Sequence, residues 1–306
     1  MRRLTGAFFL VLILLLTAAC PGESDFYRRE FDFPAETRDT PAIKLGNIPS
    51  ETVIHRLQEY TPLIKILEEE LEINIQQKFS DDYEGIIQNM LTHEYDLALL
   101  APLAYARYSN QAETPAYSPI VQPVRHGEEF YRGIIFTHSE SNIHTLSDLE
   151  GKSIAFVDRD SASGYLYPRA RLLQEGIVPE EFFSSIDFLG RHDLVVRAVY
   201  NGKYDAGVTY DDARPENIPE EAHPDEMLPI LARTEKIPTE PTVISDRFQE
   251  KYPELSEKLV ELLVNMHETS EGRRALGMLG VDRFIKTEDA NYEVVRETER
   301  ILEKEE

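Results

Sequence analysis

Val157-Asp158-Arg159-Asp160-Ser161-Ala162-Ser163-Gly164-Tyr165 stands between an apolar run, residues 153–157, and a helical pattern over residues 165–174. A short apolar run reads as a buried strand, and spacing of three and four after it reads as a helix. The stretch is therefore a strand, a turn of small residues and a helix start. Such a turn collects anions, because the first backbone N–H groups of a helix lack partners within it and the dipole places roughly half a positive charge there. Ser161 and Ser163 add hydroxyl donors. On its own the signal is weak, since serine is also a common N-cap for purely structural reasons.

Outward from this turn the same alternation recurs. Strand-like runs at 133–137, 185–189 and 206–209 join the one at 153–157, with a further helix over 194–200. Upstream lie a strand over 42–48, a helix carrying Val53, Leu57, Tyr60, Ile64, Leu67 and Leu71, a strand over 73–79, a helix over 83–91 and a strand over 97–100. A β-α-β-α-β order predicts a parallel sheet covered by helices. Pro62 is a candidate kink in the first helix. From Pro253 onward the pattern predicts an almost wholly helical segment, with Leu255, Leu259, Leu262, Leu263 and Met266 on one face, returning to cover the first unit. The expected fold class is α/β, with two lobes, each a sheet flanked by helices, and a ligand cleft between them. The expected boundaries are 42–132 plus 240–306 for lobe 1 and 133–239 for lobe 2.

The opening residues set the expected compartment. Arg2 and Arg3 precede an apolar run, residues 7–16, that closes on Thr17, Ala18, Ala19 and Cys20. That order reads as an export signal over 1–19, and the run is shorter than the roughly 20 apolar residues a membrane span needs. Small residues before a lone cysteine resemble a bacterial lipobox, which makes Cys20 the expected lipidation site, followed by a polar tether over 20–41. With one cysteine in the chain, no internal disulfide forms. The formal charge of −24 argues against nucleic acid as a partner, because nucleic acid is bound through Lys and Arg.

Several ordered stretches together resemble one family. They are Asp96-Leu-Ala-Leu-Leu-Ala-Pro102, Tyr131-Arg-Gly-Ile-Ile135, Leu146-Ser-Asp-Leu-Glu-Gly-Lys152, the Ser161–Gly164 turn, Gly190-Arg-His192, Asp205-Ala-Gly207 and Ile237-Pro-Thr-Glu-Pro241. Each is ordinary alone. In this order they resemble the substrate-binding proteins of phosphate, phosphite and phosphonate ABC transporters. The resemblance implies a periplasmic-binding-protein type II fold and an oxyanion held by Ser161, the N–H of Ala162, Ser163, Tyr131 and His192. Family members often carry threonine where Ala162 stands, so one hydroxyl is absent here. Without the resemblance, Tyr131 reads as a half-buried strand residue and His192 as a loop residue.

The opposite lobe is expected to offer the N–H groups of Leu103 and Ala104, with Pro102 at the first helical position where its missing N–H costs nothing. Tyr105 is a candidate replacement for a tyrosine that some relatives carry near Leu100. Asp212, with Asp211 beside it, and Glu240 fall where relatives that take aminoalkyl phosphonates hold an ammonium; either acid reads equally well as a solvated carboxylate. The resemblance implies no catalysis, no cofactor and no metal. Its implied partners are a permease and a separate ATPase, since the chain has no Gly-x-x-x-x-Gly-Lys-Ser/Thr loop. The chain is expected to be a monomer tethered to the membrane through Cys20. A sensory binding protein reporting to a membrane kinase is the alternative. A metal-dependent phosphatase built on Asp211, Asp212 and His192 is remote, because neither a metal-ligand spacing nor a Gly-x-Ser-x-Gly elbow is present.

Overall fold

The computed structural model describes residues 41–48 and 53–304. The expected signal, Cys20 and nearly all of the tether lie outside the described residues. The described residues form one compact unit, and among them no helix is long and apolar enough to cross a membrane.

Thirteen strands are found among the described residues. Six make the first sheet: β1 (Ala42–Asn47), β2 (Asn74–Phe79), β3 (Leu97–Leu99), β4 (Tyr117–Val124), β12 (Thr242–Ser245) and β13 (Arg283–Lys286), in the order β13-β4-β12-β3-β1-β2. Its β1, β2 and β3 are parallel, as the βα alternation predicts, whereas β12, β4 and β13 are antiparallel additions. The sheet is therefore mixed, which corrects the all-parallel expectation. β4 escapes a sequence reading because Pro119 and Pro123 argue against a central strand. Pro119 is accommodated at a register shift against β12, and Pro123 lies beyond Val121, the last β4 partner of β12.

β13 likewise corrects the almost wholly helical C-terminal expectation. The helix Pro253–Asn265 does return to the first sheet: Leu259, Leu263 and Met266 share a core with Ile43 and Leu45 of β1 and with Leu63, Ile64 and Leu67. Those last three lie on the helix Val53–Leu71, which continues through Pro62.

The second sheet contains β6 (Gly133–Thr137), β7 (Ser153–Phe156), β8 (Ser185–Phe188), β9 (Ala206–Tyr210) and β10 (Ile230–Arg233), in the order β10-β6-β9-β7-β8. Here β7, β8 and β9 run parallel and β6 antiparallel. Its core gathers Ile135, Leu149, Ile154, Phe156, Leu172 and Val208. Burying each such side chain contributes roughly 1.5–3 kcal/mol.

The chain passes between the sheets twice, over residues 125–132 and 234–241. The two passages pair as a short antiparallel ladder of β5 (Phe130–Tyr131) and β11 (Ile237–Pro238). A further apolar cluster draws on both sides, with Leu103 and Ala106 packed among Ala162, Leu166, Tyr167, Val295 and Leu302. The C-terminal helix Glu293–Leu302 therefore rests on elements of both sheets.

Candidate ligand-binding site

The serine turn leaves the carboxyl end of β7 as expected, but it opens as a wide turn with hydrogen bonds five residues apart (Ala162–Leu166) before the regular helix Tyr167–Gln174. Leu166 N–H donates to Ser161 O at 3.1 Å, and the Gly164 N–H donates to Ser161 Oγ at 3.0 Å. Ser161 Oγ thus spends a lone pair inside the turn and keeps its own proton for another acceptor. Ser161 and Ser163 are each 2% exposed. Two glycines make this packing possible. A Cβ on Gly164 would stand 2.5 Å from Val157 Cβ, and one on Gly133 would stand 2.8 Å from the Ser163 carbonyl oxygen.

Tyr131, on β5, packs against the apolar cluster that holds Ala162 of the serine turn and Leu103. Burial pushes its pKa well above the ordinary value, so the phenol stays protonated. Ala162 adds no polar group; its methyl is buried against Leu103 and Ala106.

His192 belongs to the same edge. The Leu189 N–H donates to Phe156 O at 3.0 Å and the Gly190 N–H to Val157 O at 2.7 Å, so the loop after β8 leaves beside the serine turn. His192 opens the helix His192–Tyr200; Nδ1 lies 2.9 Å from Thr209 Oγ1, and the ring packs edge-on against Tyr210 at 4.8 Å. Burial, with the nearby Arg56 charge second, lowers its pKa to about 3, against a weaker opposite pull from Asp193. The ring is neutral at physiological pH.

From the first sheet come the helices that follow β1 and β3. Pro102 occupies the first turn of the helix Pro102–Gln111, and Leu103 and Ala104 behind it are fully buried. Tyr105 faces elsewhere: its hydroxyl donates to Asp289 Oδ1 at 2.8 Å. On the helix Val53–Leu71, Arg56 lies over the Tyr60 ring, 5.8 Å from the guanidinium carbon to the centroid, and its charge is felt at His192. Functional groups thus gather at the carboxyl ends of parallel strands in both sheets, where open α/β folds hold ligands.

The two acids are already engaged. Glu240 accepts two bonds from the Arg125 guanidinium, Nη1–Oε2 at 3.0 Å and Nη2–Oε1 at 2.5 Å. Asp212 Oδ2 lies 3.3 Å from His126 Nε2, with both side chains mainly exposed. Asp211 has its carboxyl pKa raised by burial and by the neighbouring Asp212 charge. Sequence reasoning missed Arg56, Arg125 and Thr209. Nothing local marks them; Arg56 sits on a helix read only for its apolar face. A cavity of about 530 Å³ lies apart from the serine turn, lined by Tyr105, Asp289 and Arg296 among others.

Two helix-flanked sheets joined by paired crossings, with polar groups converging from both, define the class of two-lobed solute-binding proteins. Residues 45–292 match the family described as ABC transporter, phosphonate, periplasmic substrate-binding protein, and the chain belongs to that family. It is 31% identical over 206 residues to the phosphate-import protein PhnD of Mycolicibacterium smegmatis, covering 65% of this chain and 63% of that protein. It is 23% identical to the phosphonates-binding periplasmic protein of Escherichia coli, over 84% of this chain and 75% of that one. PhnD1 of Prochlorococcus marinus, solved in complex with methylphosphonate, superposes with a TM-score of 0.77 at 21% identity, over 86% of this chain and 98% of that one.

Proposed function

We propose that the protein is the solute-binding component of an ABC importer and captures a small phosphorus oxyanion, a phosphonate, phosphite or phosphate, between its lobes. The observation that carries this reading is the set of buried polar groups at the carboxyl ends of β7, β8 and β9, namely Ser161, Ser163 and neutral His192, with Tyr131 packed against Ala162 between the serines. Pre-aligned hydroxyl and N–H donors replace the water shell of an oxyanion, and bonds to a charged group each contribute roughly 1.5–3 kcal/mol.

In this reading Thr209 donates to His192 Nδ1, which leaves the ring proton on Nε2 for the ligand. The N–H groups of Ala162, Leu103 and Ala104 complete the shell, and Arg56 supplies positive charge from the other side. Lobe 1 is 42–132 plus 240–306 and lobe 2 is 133–239, with the β5–β11 ladder as the hinge. Ligand that bonds to both lobes favours the closed state and shifts the population toward it. The chain works as a monomer without catalysis, exported by residues 1–19, anchored through a lipid on Cys20 and served by separate permease and ATPase subunits.

Calorimetric titration of the full chain with phosphate, phosphite, methylphosphonate and 2-aminoethylphosphonate tests this. Binding of at least one, lost in the Ser161→Ala/Ser163→Ala variant, is the expected result. Failure of all four to bind rejects the ligand class.

A further inference from the structure

The passages between the sheets carry opposite charges at matching places. Arg125 directly follows β4 and Glu240 shortly precedes β12. Arg125 is fixed at the backbone, where its N–H donates to Glu128 O at 3.0 Å and its carbonyl accepts from Glu128 N–H at 2.9 Å. Glu240 is placed by the ladder in which Ile237 faces Tyr131, and the Thr239 N–H donates to Glu129 O at 3.2 Å. The side chains then meet in a two-pronged pair, 28% and 26% exposed.

Glu240 lies three residues beyond Ile237, which pairs with Tyr131 and shares an apolar cluster with it and with Ala162 of the serine turn. The Glu240 charge is felt at Tyr131 and at Tyr60, and the Arg125 charge couples to Tyr60 and to Tyr210, the neighbour of the His192 ring. A bare carboxylate at Glu240 would repel an oxyanion at the serine turn and attract a ligand whose substituent is cationic. Paired with Arg125, it does neither. The geometry is a fork-on-fork contact, the arrangement in which a guanidinium neutralises a carboxylate best.

We propose that Arg125 determines specificity: by holding Glu240 in a two-pronged ion pair, it makes the site select phosphorus oxyanions without a cationic substituent over those bearing an ammonium group. This rests on the oxyanion-binding reading above. Asp212, which lies 3.3 Å from His126 with both side chains mainly exposed, plays no comparable part.

Ethylphosphonate and 2-aminoethylphosphonate differ by the ammonium alone, and calorimetry of the full chain with each measures the preference directly. The wild type is expected to bind ethylphosphonate more tightly. In Arg125→Met the ratio of the two Kd values moves toward the aminoalkyl ligand by ~tenfold or more, the factor that corresponds to 1.4 kcal/mol. Adding Glu240→Gln to that variant restores the wild-type ratio, and Arg125→Lys keeps it. Equal weakening of both ligands in Arg125→Met would show a mere hinge staple and overturn the proposal, as would a wild-type preference for the aminoalkyl ligand. Should Arg125→Met not fold, Glu240→Gln alone decides: the uncompensated Arg125 must disfavour the ammonium further, and an unchanged ratio rejects the role. A wild type that binds neither ligand, nor phosphate or phosphite, brings down the oxyanion reading itself.

Discussion

Arg107 Nε donates to Glu299 Oε1 at 2.5 Å across 192 positions of sequence. The same guanidinium bonds through Nη1 to Asp160, next to Ser161. One side chain therefore ties the helix after β3, the serine turn and the C-terminal helix. Arg107→Met leaves two nearly buried carboxylates without their cation. Breaking a buried pair costs about 3–5 kcal/mol, and the 27% exposure of Arg107 reduces this to roughly 2–3. Urea unfolding should show that loss, and a change below about 0.5 kcal/mol would mean the bridge is idle.

His192 gives a pH dependence of definite sign. Its folded pKa of about 3 lies below the ordinary 6.5, so the unfolded chain takes up a proton that the folded chain refuses. Stability is lost as pH falls from 6.5 toward 3. Between pH 7 and 4.5 the ring accounts for about 2–3 kcal/mol. His192→Gln should be less acid-sensitive than the wild type by that amount in paired denaturation curves. Parallel curves for the two proteins would contradict the buried, neutral ring.

Gly164→Ala probes the serine turn. The added Cβ would press on Val157 Cβ at 2.5 Å and on Ser161 Oγ at 2.8 Å. Overpacking of this kind costs about 1–3 kcal/mol. Because the strain falls on the Ser161 hydroxyl, ligand affinity should drop more than stability does; calorimetry and thermal melts of one preparation compare the two.

Ala162→Thr adds a hydroxyl to the serine turn. Here the methyl of Ala162 is 1% exposed and packed against Leu103 and Ala106. The larger residue must displace those neighbours, so melting should come earlier and oxyanion affinity should fall or stay level. A clear gain in affinity would show that the threonine hydroxyl can turn toward the site.

Much of this was legible in the chain. The strands of the second sheet other than β10 fall within about a residue of their expected places, because each is a short apolar run set off by turn residues and helical spacing. The serine turn was legible for the same reason: a helix start after a strand is a local feature, written in adjacent residues. β4 and β13 were not. Prolines in the one and helical surroundings of the other disguise strands that exist because the first sheet offers them edges.

Sequence by itself determined most of the elements, their α/β order and the small-residue turn after β7, since backbone preference and apolar period act over a few residues. Only the tertiary structure decided the charge of the site. Arg125 and Glu240 are 115 positions apart, and Arg56 reaches the field of His192 from the helix that follows β1. Whether a carboxylate is bare or neutralised depends on which side chains the sheet order brings within a few ångströms, where Coulomb interactions become strong. No local pattern records that distance.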